Sequence, residues 1–175
     1  TLHVESKLGV GTSFKVVFPV KYGLSVDKLV SISNSLKLND SDYEKCRSIP
    51  EKNILIIEDN DLAAFALDNM IKEFKHKTAI ASTASQALIK LKNNSYDLIF
   101  LDQDLPDANG IDLITDIRKI TGSDDLPIII LSGHIGRTLQ AKLKNISCQG
   151  LFVKPMQVEH LVKILNKYLV ESVVV

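Results

Sequence analysis

Residues 97–110 read DLIFLDQDLPDANG, and this stretch decides the fold. Its core, LIFL, is apolar at every position, as in a strand covered by helices on both faces of a parallel sheet. The run stops at Asp102 and passes through Pro106 and Asn109-Gly110, which are turn formers. Apolar residues at helical spacing follow from Ile111. Two more runs have the same form, NILIIE at 53–58 and PIIIL at 127–131.

Between and after these runs the alternation is regular. Helical periodicity occupies 61–74, 85–91, 111–120, 135–143 and 158–169, while short strands fit 78–81 and 150–153. Five βα units with short connections predict an α/β fold, a doubly wound five-stranded parallel sheet flanked by helices. The site of such a sheet lies at the carboxyl ends of the strands, near the point where strand order reverses.

Upstream, residues 1–20 carry two β-type runs around a Gly-rich turn at 7–12, which predicts a hairpin. Residues 21–51 have the Ser, Asn, Asp and Lys content of a linker. Val26, Leu29, Val30, Ile32, Leu36 and Leu38 could nevertheless pack, and helical and strand periodicities each fit partially. The expected organisation is a hairpin over 1–20, a linker over 21–51 and the α/β domain over 52–172.

Composition narrows the function. With 45% hydrophobic and 24% charged residues the chain is globular rather than disordered. Its 21 basic side chains balance 21 acidic ones, which argues against a general nucleic-acid or membrane-surface binder. Cys46 and Cys148 form no CxxC pattern and are expected as free thiols in a reducing cytoplasm. No apolar run approaches the roughly 20 residues that span a bilayer. A cytoplasmic location without direct membrane contact is therefore expected. The chain opens at Thr1 rather than Met, as a piece of a longer protein would.

The chemistry sits at the strand ends. The first strand ends in Glu58-Asp59, the third in Asp102, the fourth in Ser132 and the fifth in Lys154-Pro155. In a parallel sheet all of these share one rim. Two like charges about 4 Å apart repel by roughly 4 kcal/mol at an effective dielectric near 20. Three carboxylates on one rim are therefore costly against a domain stability of about 5–15 kcal/mol. Either a cation neutralises them or one takes up a proton. Hard oxygen ligands in a partly open site suit Mg²⁺. Beside Mg²⁺ and the Lys154 ammonium, Asp102 is a competent nucleophile toward phosphorus. The Ser132 hydroxyl could donate to a phosphoryl oxygen.

These residues resemble the receiver domains of two-component response regulators. The resemblance covers about 53–170 and rests on Glu58-Asp59, on DQDLPDANG at 102–110, on Ser132-Gly133 and on Lys154-Pro155, in order and each at a strand end. It implies a flavodoxin-like sheet of order 2-1-3-4-5, with Asp102 as phosphoacceptor. Asp59, Asp102 and the backbone carbonyl of Asp104 would bind Mg²⁺, and Glu58 would act through water. Ser132 would be the switch hydroxyl, Lys154 the phosphoryl-binding cation and Phe152 the rotamer partner of Ser132. Asp104 and His134 would tune hydrolysis of the phosphate. Asn109 stands where the family more often has Asp, and Ser132 where it often has Thr.

The hairpin, ESKLGVGTSF at 5–14 followed by VVFP, is similar to the last strand pair of a histidine-kinase ATP-binding domain. The rest of that ATP site is absent, so the segment is expected not to act as a stand-alone kinase, although it should catalyse its own aspartyl phosphorylation. The two resemblances together imply the C-terminal part of a hybrid sensor histidine kinase, its parent anchored in a membrane or not. The implied partners are the kinase core of the parent chain and a histidine phosphotransfer domain or protein, with pairing to a second copy also open.

On the helix at 61–74, Leu62, Ala66, Leu67, Met70 and Phe74 define an expected buried stripe. Ala63, Ala64 and Phe65 then face outward and, with Pro155 and Met156, form an expected docking patch. Ile135, Leu139, Leu143 and Ile146 form a stripe on the fourth helix. His3, His76 and His160 have no metal or phosphotransfer spacing and are expected at the surface. Three rivals compete with these expectations, and the first, a receiver-shaped module that is never phosphorylated, would lack the metal carboxylates or Lys154. A haloacid-dehalogenase-like phosphatase would also use the Asp102-Gln103-Asp104 pair, but it needs an acidic pair after the Lys, and here the pair precedes the nucleophile. A DNA-binding regulator needs a basic recognition helix, and none follows.

Overall fold

A computed structural model describes residues 2–7, 11–16, 38–133 and 148–170. The chain divides into two units, 1–37 and 38–175. In the first, strands β1 (Leu2–Lys7) and β2 (Gly11–Val16) pair antiparallel, with Leu2 opposite Val16 and Lys7 opposite Gly11. This is the hairpin expected from the Gly-rich turn. The expected helix at 135–143, its apolar stripe and His134 lie outside the described residues.

The second unit runs α1 (Asp40–Arg47), β3 (Asn53–Ile57), α2 (Asp61–Lys72), β4 (Lys77–Ala81), α3 (Ala84–Asn93), β5 (Leu98–Asp102), α4 (Gly110–Thr121), β6 (Ile128–Ser132), β7 (Gly150–Val153) and α5 (Val158–Tyr168). All neighbouring strands are parallel, in the order β4-β3-β5-β6-β7. Counted within this unit, that is 2-1-3-4-5, the doubly wound arrangement expected. Strand order reverses at β3, between β4 and β5.

The apolar runs are buried because the sheet is covered on both faces. Ile54, Ile56, Leu98 and Phe100 pack on the α2 and α5 side, whereas Leu55, Ile57, Ile99 and Leu101 pack toward α3 and α4. Successive residues of a strand point to opposite faces, so each run feeds both layers.

Part of the stretch with linker composition is ordered. Residues 40–47 form α1, started by a capping box in which the Asn39 side chain accepts the Asp42 N–H and the Asp42 side chain accepts the Asn39 N–H, each at 3.0 Å. Cys46 and Ile49 are buried in the α2–α5 layer, and the Asn166 side chain of α5 donates to the Asp42 carbonyl at 2.9 Å. Burial pushes the Cys46 thiol up to about 11. The short helix carries too few apolar residues for its periodicity to stand out in the sequence.

His76, expected at the surface, is 3% exposed at the foot of the sheet. Its Nδ1 accepts the Lys52 N–H at 3.3 Å, and its Nε2 has no hydrogen-bond partner among the described residues. Burial holds the imidazole below its ordinary value and outweighs the pull of the Asp97 and Glu51 carboxylates. The folded state thus prefers neutral His76, while the unfolded chain takes up a proton below about pH 6.5. This contribution is complete above that value and is lost as pH falls toward the folded pKa. The unfolding free energy from urea titrations should drop between about pH 7.5 and 5.5, by at most ~1.4 kcal/mol per pH unit. His76→Gln should flatten that slope; an unchanged slope refutes the assignment.

Candidate functional site

The strand register sets the site. Ile57 lies beside Leu101, and Asp102 lies beside Leu131. The ladders continue past the strand ends: Glu58 N–H donates to Ala81, Gln103 N–H to Leu131 and Lys154 N–H to Ser132, at 2.8 to 3.0 Å. Glu58, Asp102 and Lys154 continue the alternation of Ile56, Phe100 and Phe152, which all belong to the α2–α5 layer. Their side chains therefore meet over one face.

Lys154 Nζ lies 2.6 Å from Glu58 Oε2 and 2.7 Å from Asp102 Oδ2. Glu58 is 3% and Asp102 5% exposed. Carboxylate oxygens of Glu58, Asp59 and Asp102 lie within 4.8 Å of one another, and Asp59 opens to solvent. Burial raises the Glu58 carboxyl above its ordinary value, and the neighbouring Asp102 charge adds to this against the Lys154 hydrogen bond. Burial alone would lower the Lys154 ammonium, but its bonds to Asp102 and Glu58 outweigh that and raise it. The cluster thus holds more negative charge than one ammonium balances. An oxygen-only donor set with one exposed member fits a hard divalent cation.

The loop from 103 to 109 frames Asp102. The Asp104 N–H donates to Asp102 Oδ1 at 3.2 Å, so the carboxylate is held from both sides. The loop folds back on itself through an Asp104–Asn109 bridge and a 2.7 Å bond from Gly110 N–H to the Gln103 carbonyl. Asn109 caps α4 through Ile111 N–H. On the other side of the cleft Asn60, not the neighbouring acidic residues, caps α2 through Ala63 N–H, which leaves Asp59 unused by the helix. Ser132 is 2% exposed at the end of β6. Phe152 is half-buried against His160, ring centroids 5.3 Å apart, so His160 is not the surface residue expected.

The docking patch needs correction. Phe65 is exposed, as expected; Leu62 at 80% and Ala66 are exposed too, against the expected buried stripe. Ala64 is 3% exposed and Met156 9%, so neither presents a free surface. Ala63 is half-buried and Pro155 exposed. The helix turns its Ala64, Leu67, Asp68 and Ile71 face to the sheet. A polar residue, Asp68, occupies one inward position, bonded to Thr78 Oγ1 and to Lys72 Nζ at 2.8 Å. A stripe traced from apolar residues alone comes out rotated.

A further contact left no trace in the sequence pattern. The Asp107 carboxylate accepts Ala84 N–H at 2.8 Å, Ser85 N–H at 3.0 Å and the Ser85 hydroxyl at 2.9 Å. It caps α3 from more than twenty residues away.

Residues 54–166 match the response regulator receiver domain. The aerobic respiration control sensor protein ArcB of Escherichia coli K12 is 27% identical over 133 residues, which are 75% of this chain and 17% of that protein. The autoinducer 2 sensor kinase/phosphatase LuxQ of Vibrio cholerae is 25% identical over 170 residues, 95% of this chain and 19% of its own length. The chain thus spans less than a fifth of these relatives. The receiver domain of a sensor histidine kinase from Pseudomonas aeruginosa PAO1, solved with magnesium coordinated in its active-site cleft, superposes with a TM-score of 0.63 at 22% identity, covering 69% of this chain and 98% of that one. Among the described residues no helix is long and apolar enough to cross a membrane. By its matched sequence and its sheet order alike, the chain belongs to the response regulator receiver family of two-component signalling.

Proposed function

We propose that Asp102 accepts a phosphoryl group from a phosphohistidine and passes it on to a histidine of a phosphotransfer partner or to water. The observation that carries this reading is the pairing of buried Asp102 with Lys154 at 2.7 Å inside a cluster of three carboxylates. A carboxylate oxygen attacks phosphorus, the P–N bond breaks, and its electron pair stays on the imidazole nitrogen. Lys154 carries the charge that accumulates on the phosphoryl oxygens, and Ser132 closes on the product as the switch hydroxyl. Glu58, Asp59, Asp102 and the Asp104 carbonyl would hold Mg²⁺, which supplies the remaining charge neutralisation when bound. The product adds about two negative charges, enough to draw Ser132 and Lys154 inward and to move Phe152. Asp104 and His134 set how long the phosphate lasts.

The parent protein on this reading is a hybrid sensor histidine kinase. Support comes from the Gly-rich hairpin and from the similarity to LuxQ, which extends over 95% of the chain, beyond the receiver alone. The partners are then the parent's kinase core and a phosphotransfer domain docking on Phe65 and Pro155.

Incubation with a small phosphodonor and Mg²⁺ should give a hydroxylamine-labile adduct on the wild-type chain. Asp102→Asn should remove it entirely, and label that persists sinks the assignment. Phe65→Ala should slow transfer to or from a phosphotransfer partner while leaving small-donor labelling unchanged. Equal slowing of both would place Phe65 outside the docking surface.

A further inference from the structure

The loop beside Asp102 is anchored at its base, and Pro106 and Asp107 at its tip are exposed. At the base, Gln103 N–H bonds Leu131 and Gly110 N–H bonds Gln103. Leu105 and Ala108 pack partly against the α3–α4 layer. Among the described residues, the hydrogen bonds that tie the tip to another element all come from Asp107.

Those bonds meet a need of α3. The first N–H groups of a helix have no partner within it. Thr83 accepts the Gln86 N–H, and Asp107 accepts those of Ala84 and Ser85. Ala87 N–H already bonds the Thr83 carbonyl, so every donor at this end is met. The first turn of α3 contains no acidic residue of its own. Asp107 therefore supplies in trans the negative charge that the positive end of the helix favours. The same bonds hold the Asp107 carboxyl below the usual carboxylate range.

From this geometry we infer that Asp107 is a positioning residue for the Asp102 site: by clamping the loop tip to α3 it holds the Asp104 backbone, whose N–H orients the Asp102 carboxylate and whose carbonyl would be a metal ligand on the reading above. The inference rests on the phosphoacceptor reading above. Asp107 itself touches none of the reacting atoms. It belongs with the outer partners of metal sites, whose loss weakens metal affinity by about 10–100-fold.

The test uses the whole 175-residue chain. Mg²⁺ affinity is measured by calorimetry, and small-donor labelling is followed as a function of Mg²⁺. Asp107→Ala should weaken Mg²⁺ binding by roughly tenfold, the low end of that range. It should also speed amide exchange at Asp104, and the labelling rate at saturating Mg²⁺ should fall far less than the affinity. Asp107→Asn keeps one acceptor oxygen and should recover most of the loss. The inference is overturned if Asp107→Ala exchanges Ala84 and Ser85 amides faster yet binds Mg²⁺ like the wild type. It is equally overturned if the labelling rate at saturating Mg²⁺ falls as far as the affinity. A wild-type chain that binds Mg²⁺ but takes no label would instead sink the phosphoacceptor reading, and the Mg²⁺ affinities of the variants still decide the role of Asp107.

Discussion

Lys154→Met should both destabilise the receiver and silence it. The ammonium is the direct partner of two carboxylates that are almost fully buried, Glu58 at 2.6 Å and Asp102 at 2.7 Å. Removing one partner of a buried pair leaves an uncompensated charge and costs about 3–5 kcal/mol. Glu58, already raised by burial, becomes the group that relieves the strain by taking up a proton. Its folded pKa then lies further above the unfolded one. The folded state binds more protons, so the variant's stability should fall as pH rises through the window above about 4.5. Urea unfolding at about pH 5 and 7 reads this slope directly. In the wild type the Glu58 contribution is smaller and is opposed by that of His76, so the readout is the difference in slope between variant and wild type, in which the His76 contribution cancels. Labelling by a small phosphodonor should drop by about 10²–10³-fold, the typical cost of losing a charge-stabilising donor. Lys154→Arg should not restore it, because a planar fork cannot replace a compact ammonium between two oxygens so close. Wild-type stability with normal labelling would refute the pairing.

The second large effect falls on Gly110. A Cβ there would lie 2.2 Å from the Asp102 carbonyl oxygen and 3.1 Å from the Gln103 Cα. Both obstacles are backbone, so no rotamer change relieves the clash. The 2.7 Å bond from Gly110 N–H to Gln103 must lengthen, and the loop must shift away from Asp102. Gly110→Ala should cost about 3 kcal/mol or more, at the upper end of overpacking substitutions. It should also lower the labelling rate, because Asp102 and Gln103 move with the loop. Gly133→Ala is the control: among the described residues a Cβ there meets nothing within 4 Å. Its stability should stay within about 0.5 kcal/mol of wild type. Equal midpoints for the two variants in urea would contradict the close approach at Gly110.

Both predictions concern charge and space around one carboxylate, and neither is visible in a single segment. The carboxylates of Glu58, Asp59 and Asp102 could be foreseen as a rim because strand ends in a parallel sheet coincide. That Lys154 bridges Glu58 and Asp102 directly depends on side-chain alternation carried across three strands. The family resemblance implied a water-mediated role for Glu58 toward the metal; its direct pairing with Lys154 is a further contact that the strand ends alone do not specify. His76 was expected at the surface for want of functional spacing, and burial by the segment before β3 was invisible from its own neighbours.

The sequence by itself determined the alternation of strands and helices, the burial of NILII, LIFL and IIIL on both faces, and the residues at each strand end. It could do so because a strand covered by two helical layers must be apolar throughout, and its first polar residue marks the rim. Tertiary structure alone decided the rotation of α2 about its axis, the inclusion of α1 in the core, and the capping of α3 by Asp107. Each of these rests on hydrogen bonds or packing between residues far apart in the chain: Asp68 with Thr78, Asp42 with Asn166, Asp107 with Ala84. Such bonds follow no helical or strand period. Local sequence therefore carries no trace of them, and only the packed chain brings the partners into reach.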